Sequence, residues 1–116
     1  MTMNEELKTI FGDAIKVGNK SIPTAHLKYK GKSTTFVVWT ITAESPALSA
    51  DDEPMYSIAS VDVDVYSKGN YLDVETKIKK IMKENGWVWV GDSTERYEDD
   101  TGLYHKTTSF EKERNL

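Results

Sequence analysis

A chain of 116 residues with a formal net charge of −4 and no cysteine has the length of one ordinary domain and excludes disulfides, thiolate metal sites and thiol nucleophiles. A chain of this size buries roughly two-thirds of the surface its unfolded form exposes, enough for a core without covalent staples. The longest apolar run, Trp87-Val88-Trp89-Val90, falls far short of the roughly 20 residues that cross a bilayer. The opening MTMNEELKTIF carries acids where a secretory signal carries bases, so a soluble protein made in the cytoplasm is expected.

Of the 15 basic residues only Arg96 and Arg114 are arginine, which leaves little of the bidentate geometry that favours phosphates. Lys28, Lys30 and Lys32 alternate along one short predicted strand. Sequence-specific nucleic-acid binding is therefore not expected, because it needs a concentrated basic surface.

Residues 4–17 read as an amphipathic helix. Leu7, Ile10, Phe11 and Ala14 recur at helical spacing, Asn4 is placed to cap, and Gly18-Asn19 supplies a stop. After Pro23 the pattern changes to strands. Residues 25–30 alternate, Gly31-Lys32-Ser33 forms a turn, and residues 34–42 are rich in β-branched and aromatic side chains, which together predict an antiparallel hairpin. Residues 44–54 (ESPALSADDEP) break the alternation with two prolines and three consecutive acids. A loop of that length is expected to be functional or mobile. Residues 56–66 are a strand with Val61, Val63 and Val65 on one face and Asp62, Asp64 and Tyr66 on the other.

The second helix begins near Asn70 and Asp73, an approximate capping box. Tyr71, Val74, Ile78, Ile81 and Met82 make its apolar stripe, with Asp73–Lys77 and Glu75–Lys79 as i,i+4 pairs. Asn85-Gly86 ends it. Two more strands, residues 87–96 and 103–112, flank a turn-rich connection at residues 98–102. The order α-β-β-β-α-β-β predicts a single α+β domain, with an antiparallel or mixed sheet of about five strands and two helices on one face.

The candidate chemistry is sparse. Asp62 and Asp64 project from one strand face, a spacing that suits a hard cation or general acid–base work, but the alternation with Val61, Val63 and Val65 favours a plain solvated sheet face. Neither Asp51-Asp52-Glu53 nor Glu98-Asp99-Asp100 has the register of a calcium loop. His26 and His105 are the only histidines, and no HExxH, GxSxG, Walker or GxGxxG pattern occurs. No catalytic residue, cofactor or metal ligand is assigned. In the Trp87–Val90 run both faces are apolar. Either it is a central strand buried twice within the domain, or a partner subunit covers one side.

Four stretches resemble the small tail-completion or tail-terminator (tail-to-head joining) proteins of long-tailed bacteriophages. They are PTAHLKYKGKSTTFVVW, DDEPMYSIASVDVDVYSKGNY, YLDVETKIKKIMKENGW and YEDDTGLYHKTTSFEKE, and the likeness spans residues 22–113. The resemblance implies a structural, non-enzymatic α+β subunit of the virion tail, assembled in the bacterial host cytoplasm. It implies a homo-oligomeric ring, usually a hexamer, that caps the tail tube, stops its polymerisation and forms the head–tail joining interface. The partners so implied are the major tail-tube protein and the head connector or stopper, with DNA passing through the ring and no membrane.

By position, the loop at residues 43–54 matches loops that pack between subunits of such rings, which marks Glu44, Leu48, Asp51, Asp52, Glu53 and Met55 as interface candidates. Asp62 and Asp64 are candidates for acids lining the lumen, where negative charge discourages DNA from sticking. Two alternatives stay open: a related tube or connector-stopper protein, and a soluble acidic phage protein that inhibits a host nucleic-acid enzyme.

Overall fold

In a computed structural model of the chain, residues 2–48 and 54–115 are described. Helix α1 (Met3–Phe11) is followed by strands β1 (Ala14–Val17), β2 (Lys20–His26), β3 (Thr35–Leu48) and β4 (Pro54–Ser67). Helix α2 (Leu72–Glu84) and strands β5 (Val88–Asp92), β6 (Arg96–Glu98) and β7 (Leu103–Asn115) complete the order. The architecture is α+β, as expected, but the sheet has seven strands in the order β1-β2-β3-β4-β7-β5, with β6 also paired to β7.

The first helix is shorter than its periodicity suggests. Thr2, not Asn4, is the cap. Its Oγ1 accepts from Glu5 N at 3.2 Å while Glu5 Oε1 accepts from Thr2 N at 3.3 Å, a reciprocal capping box. Met3, Leu7 and Phe11, one turn apart, are buried. Gly12, at φ 61°, ends the helix, so Ala14–Val17 becomes an edge strand paired antiparallel with β2. The alternation of buried Ile15 with exposed Ala14 and Lys16 suits a strand as well as a helix turn, and the break at Gly12 decides between them.

The second difference is topological. β2 pairs with β3 in parallel, through Thr24↔Val37, Ala25↔Val38 and His26↔Trp39, so the expected antiparallel hairpin is absent. Leu27 takes a positive φ of 67° and donates its N–H to Trp39 O at 3.0 Å. The chain thus leaves β2 abruptly, and residues 27–34 carry it back to start β3 in the same direction. Lys28, Lys30 and Lys32 lie in this connection, not on a strand. Tyr29 folds over the start of β3, its ring stacked on Phe36 at 4.3 Å. A Cβ on Gly31 would lie 2.1 Å from the Tyr29 hydroxyl, which is why glycine fits there.

The third difference concerns residues 43–54. Ala43–Leu48 extend β3 and Pro54 begins β4, paired as far as Leu48↔Pro54 with register shifts after Ile41 and Ala47. The long loop is thus mostly a hairpin arm. At roughly 3.3 Å per residue, its 14-residue strands account for the long axis of a 52 × 26 × 23 Å molecule.

Both helices lie against one sheet face. On it β3 places Val37 and Trp39, β4 places Ala59, Val61, Val63 and Val65, and β7 places Phe110. These join Leu7 and Phe11 of α1 and Val74, Ile78 and Met82 of α2 in one core. The ends of the core are tied by charge. Glu6 of α1 accepts from Lys112 Nζ at 2.6 Å and pairs with Arg114 of β7. Burial raises the Glu6 carboxyl, and the two cationic hydrogen bonds outweigh it and hold it below the ordinary range. On α2 the Glu75–Lys79 pair closes at 2.9 Å, whereas Asp73 and Lys77 form none among the described residues.

Candidate functional site

The sheet face opposite the helices bears the remaining candidate residues. Strand alternation turns Val61, Val63 and Val65 into the core, so Asp62 and Asp64 must face the other way. Asp62 lies opposite Ser109 of β7 and accepts from its Oγ at 2.7 Å. Asp64, opposite Thr107, accepts from the Thr107 hydroxyl and sits 2.8 Å from His105 Nε2. The other ring nitrogen of His105 is 3.5 Å from Glu98 Oε1. Arg96 Nη2 donates to Thr107 Oγ1 at 3.1 Å. The two aspartates point along the sheet to hydrogen-bond donors on β7, and each is half-buried.

Beside this polar network runs a ladder of rings. Tyr29, Phe36, Tyr66 and His105 stack in sequence with centroid distances of 4.3, 4.8 and 4.0 Å. The Phe36↔Tyr66 and Tyr66↔His105 register puts these side chains directly opposite one another on three neighbouring strands. Burial, and then the nearby Asp64 charge, raise the Tyr66 phenol above its usual value. His105 thus has a defined position, stacked on one side and flanked by two carboxylates. The Tyr66–His105 step was not legible locally, because 39 residues separate the two strand positions.

The Trp87–Val90 run does not form the central, doubly buried strand. Trp87 is buried, but Val88, Trp89 and Val90 are 62, 52 and 52 % exposed, because β5 is the outermost strand. Trp89 lies on the helix side, with Lys79 Nζ 4.4 Å over its ring and its Nε1 donating to Asp92 at 2.9 Å. Val88 and Val90 line an open groove of about 460 Å³ with Ile58, Glu111 and Glu113.

The expected interface residues do not form one loop. Glu44 is on β3, where its carboxylate accepts from Ser57 Oγ at 2.8 Å and lies 3.8 Å from Arg114 Nε. Leu48 ends β3 and Met55 is in β4. Asp51, Asp52 and Glu53 fall outside the described residues. Asp62 and Asp64 share the open face with His105, whereas Glu44, aligned with buried Ala59, lies on the helix side.

Among the described residues no cluster of three or more histidine or carboxylate side chains is placed to hold a metal ion, and no helix is long and apolar enough to cross a membrane. No family model matches this chain, and no curated protein matches it.

Proposed function

We propose that this chain is a ring-forming structural protein of a long phage tail, capping the tube at its head-proximal end and presenting a joining surface to the head connector. The reading rests on the four sequence stretches that resemble tail-completion proteins. The observation that carries it structurally is the seven-stranded sheet, covered by helices on one side and bare on the other, with an apolar outer strand. Such a subunit offers large, dissimilar surfaces, which is what head-to-tail closure of a ring requires.

In this reading the bare face looks into the lumen. Asp62 and Asp64 give it negative charge, and their hydrogen bonds to β7 hold that charge flat against the sheet. A smooth acidic wall repels passing DNA and does not bind it. Glu44 and the β3–β4 arm extend along the tube axis toward the tail-tube protein or the connector. The alternative of a soluble inhibitor that imitates nucleic acid is less well supported. Such a mimic needs free acids arrayed in order, and Asp62 and Asp64 are engaged with Ser109, Thr107 and His105.

Particles assembled without this chain should carry tails of uncontrolled length or tails not joined to heads, as measured by electron microscopy. Tails of normal length on filled, joined heads in its absence would overturn the proposal.

A further inference from the structure

The sheet ends at β1 on one side and at β5 on the other, and among the described residues neither outer edge carries another strand. Unpaired edges of this kind are either blocked or used. Natural blocks are prolines, inward charges and very short strands. Both edges are short, β1 with four residues and β5 with five, and β5 carries a bulge after Trp89, yet β5 exposes three large apolar side chains, Val88, Trp89 and Val90, beside its unpaired backbone edge.

We infer that β5 of one copy pairs with β1 of the next, so that a single sheet runs continuously from subunit to subunit. The inference rests on the ring-forming reading above and names its interface. Strand direction supports it first. β1 is antiparallel to β2, β2 parallel to β3, and β4, β7 and β5 alternate thereafter. β1 and β5 therefore run the same way within one subunit. A rotation about an axis along the strands brings β5 beside the neighbour's β1 in parallel and keeps every helix layer on the same side. A symmetric β5–β5 pair would be antiparallel and would close a dimer, leaving both β1 edges unused.

The side chains match on both faces. On the helix side, Trp89 meets the partly exposed Val17, which shares the face of buried Ile15 and Ile22. On the bare side, Val88 and Val90 meet Ala14 and Lys16, both exposed on β1. One strand further in, Glu111 lies opposite Val88. Two strand spacings are about 10 Å, a gap that a lysine and a glutamate bridge together. Lys16, on the bare side of β1, forms no ion pair among the described residues, and neither do Glu111 and Glu113 beside β5. The joint thus sets basic against acidic. A β5–β5 pair would set Glu111 and Glu113 against their own copies, which disfavours it.

The absence of native cysteine allows a direct test on the full chain. Copies carrying Ala14→Cys and copies carrying Val90→Cys are oxidised at high concentration, mixed and separately. Disulfide-linked dimers should form in the mixture and be scarce in either sample alone. Lys16→Glu, added to the Ala14→Cys copy, should suppress the link, and Glu111→Lys in the Val90→Cys copy should restore it. That rescue would not follow from misfolding, which circular dichroism of each variant checks independently. Dimers from Val90→Cys alone would overturn the inference in favour of a symmetric pair. An equal lack of links in every sample, from folded protein, would overturn it outright. The tail-length experiment is separate: overlong tails without the chain, together with no β1–β5 link, would reject this interface and leave the ring-forming reading standing.

Discussion

Asp92 shows how one carboxylate secures an edge. It accepts from Thr108 Oγ1 at 2.6 Å, Trp89 Nε1 at 2.9 Å and Lys79 Nζ at 3.2 Å. Burial pushes its carboxyl up, and these hydrogen bonds more than reverse that, holding it at about 2 against an ordinary 3.8. A depressed folded-state value means that its stabilisation is complete above the ordinary value and is lost as pH falls through about 2. Asp92→Ala also strands the buried Thr108 hydroxyl. It should cost about 1–3 kcal/mol near neutral pH, by denaturant unfolding, and the gap from the parent chain should narrow toward pH 2. A gap of constant size across that range would contradict this account. Tyr71 is the complementary case. Its hydrogen bond to Glu95, followed by burial, pushes the phenol up to about 12. In spectrophotometric titration one tyrosine should ionise well after the ordinary range, and Glu95→Gln should bring it down. The raised value also means that its contribution to stability is present below about pH 10 and is lost as pH rises through about 12.

Among the elements, α2 is the one most completely specified by its own residues. Tyr71, Val74, Ile78 and Met82 form the buried stripe, with Ile81 partly covered against the core, and Gly86 at φ 85° permits the exit. Ile78, fully buried, joins the helix to the sheet. Ile78→Ala should destabilise the domain by about 2–5 kcal/mol in chemical denaturation; a loss under about 1 kcal/mol would mean that the helix is not packed as described. The 3.6-residue and 2-residue periods were legible here and in β4, because the water-facing and core-facing sides of these elements differ in polarity. The same logic failed at residues 14–17, where four residues fit either period and the short-range break at Gly12 decided. It failed again at β3, where Pro46 and the acids suggested a loop. Strand pairing with β4 supplies the hydrogen bonds that local propensity does not promise.

At the scale of the whole molecule, polarity is distributed in layers. Helices, core and sheet follow one another, and the outer sheet face carries the acid–histidine network and the stacked rings. If this face lines a channel in the ring proposed above, then Asp62→Lys with Asp64→Lys should leave tails capped but impede DNA delivery. Phage titre would fall while tail length in electron micrographs stays normal. Unchanged infectivity with both lysines present would remove the lumen role from these residues. In the ring proposed above, the β3–β4 arm, which sets the long dimension, would reach toward a neighbouring ring. Glu44, exposed but anchored by Ser57 and Arg114, is the one expected interface residue whose side-chain contacts are described.

By itself the sequence determined the α+β class, both amphipathic helices, and the division of residues 61–65 into core valines and outward aspartates. Each of these follows from periodicity over a few consecutive residues, where burial and polarity act locally. Only the tertiary structure decided that β2 and β3 run parallel, that β1 and β6 enlarge the sheet to seven strands, and that the Trp87–Val90 run lies at an edge. Those outcomes depend on which distant strand supplies each free N–H and C=O. Such partners lie tens of residues apart, beyond the reach of any local pattern.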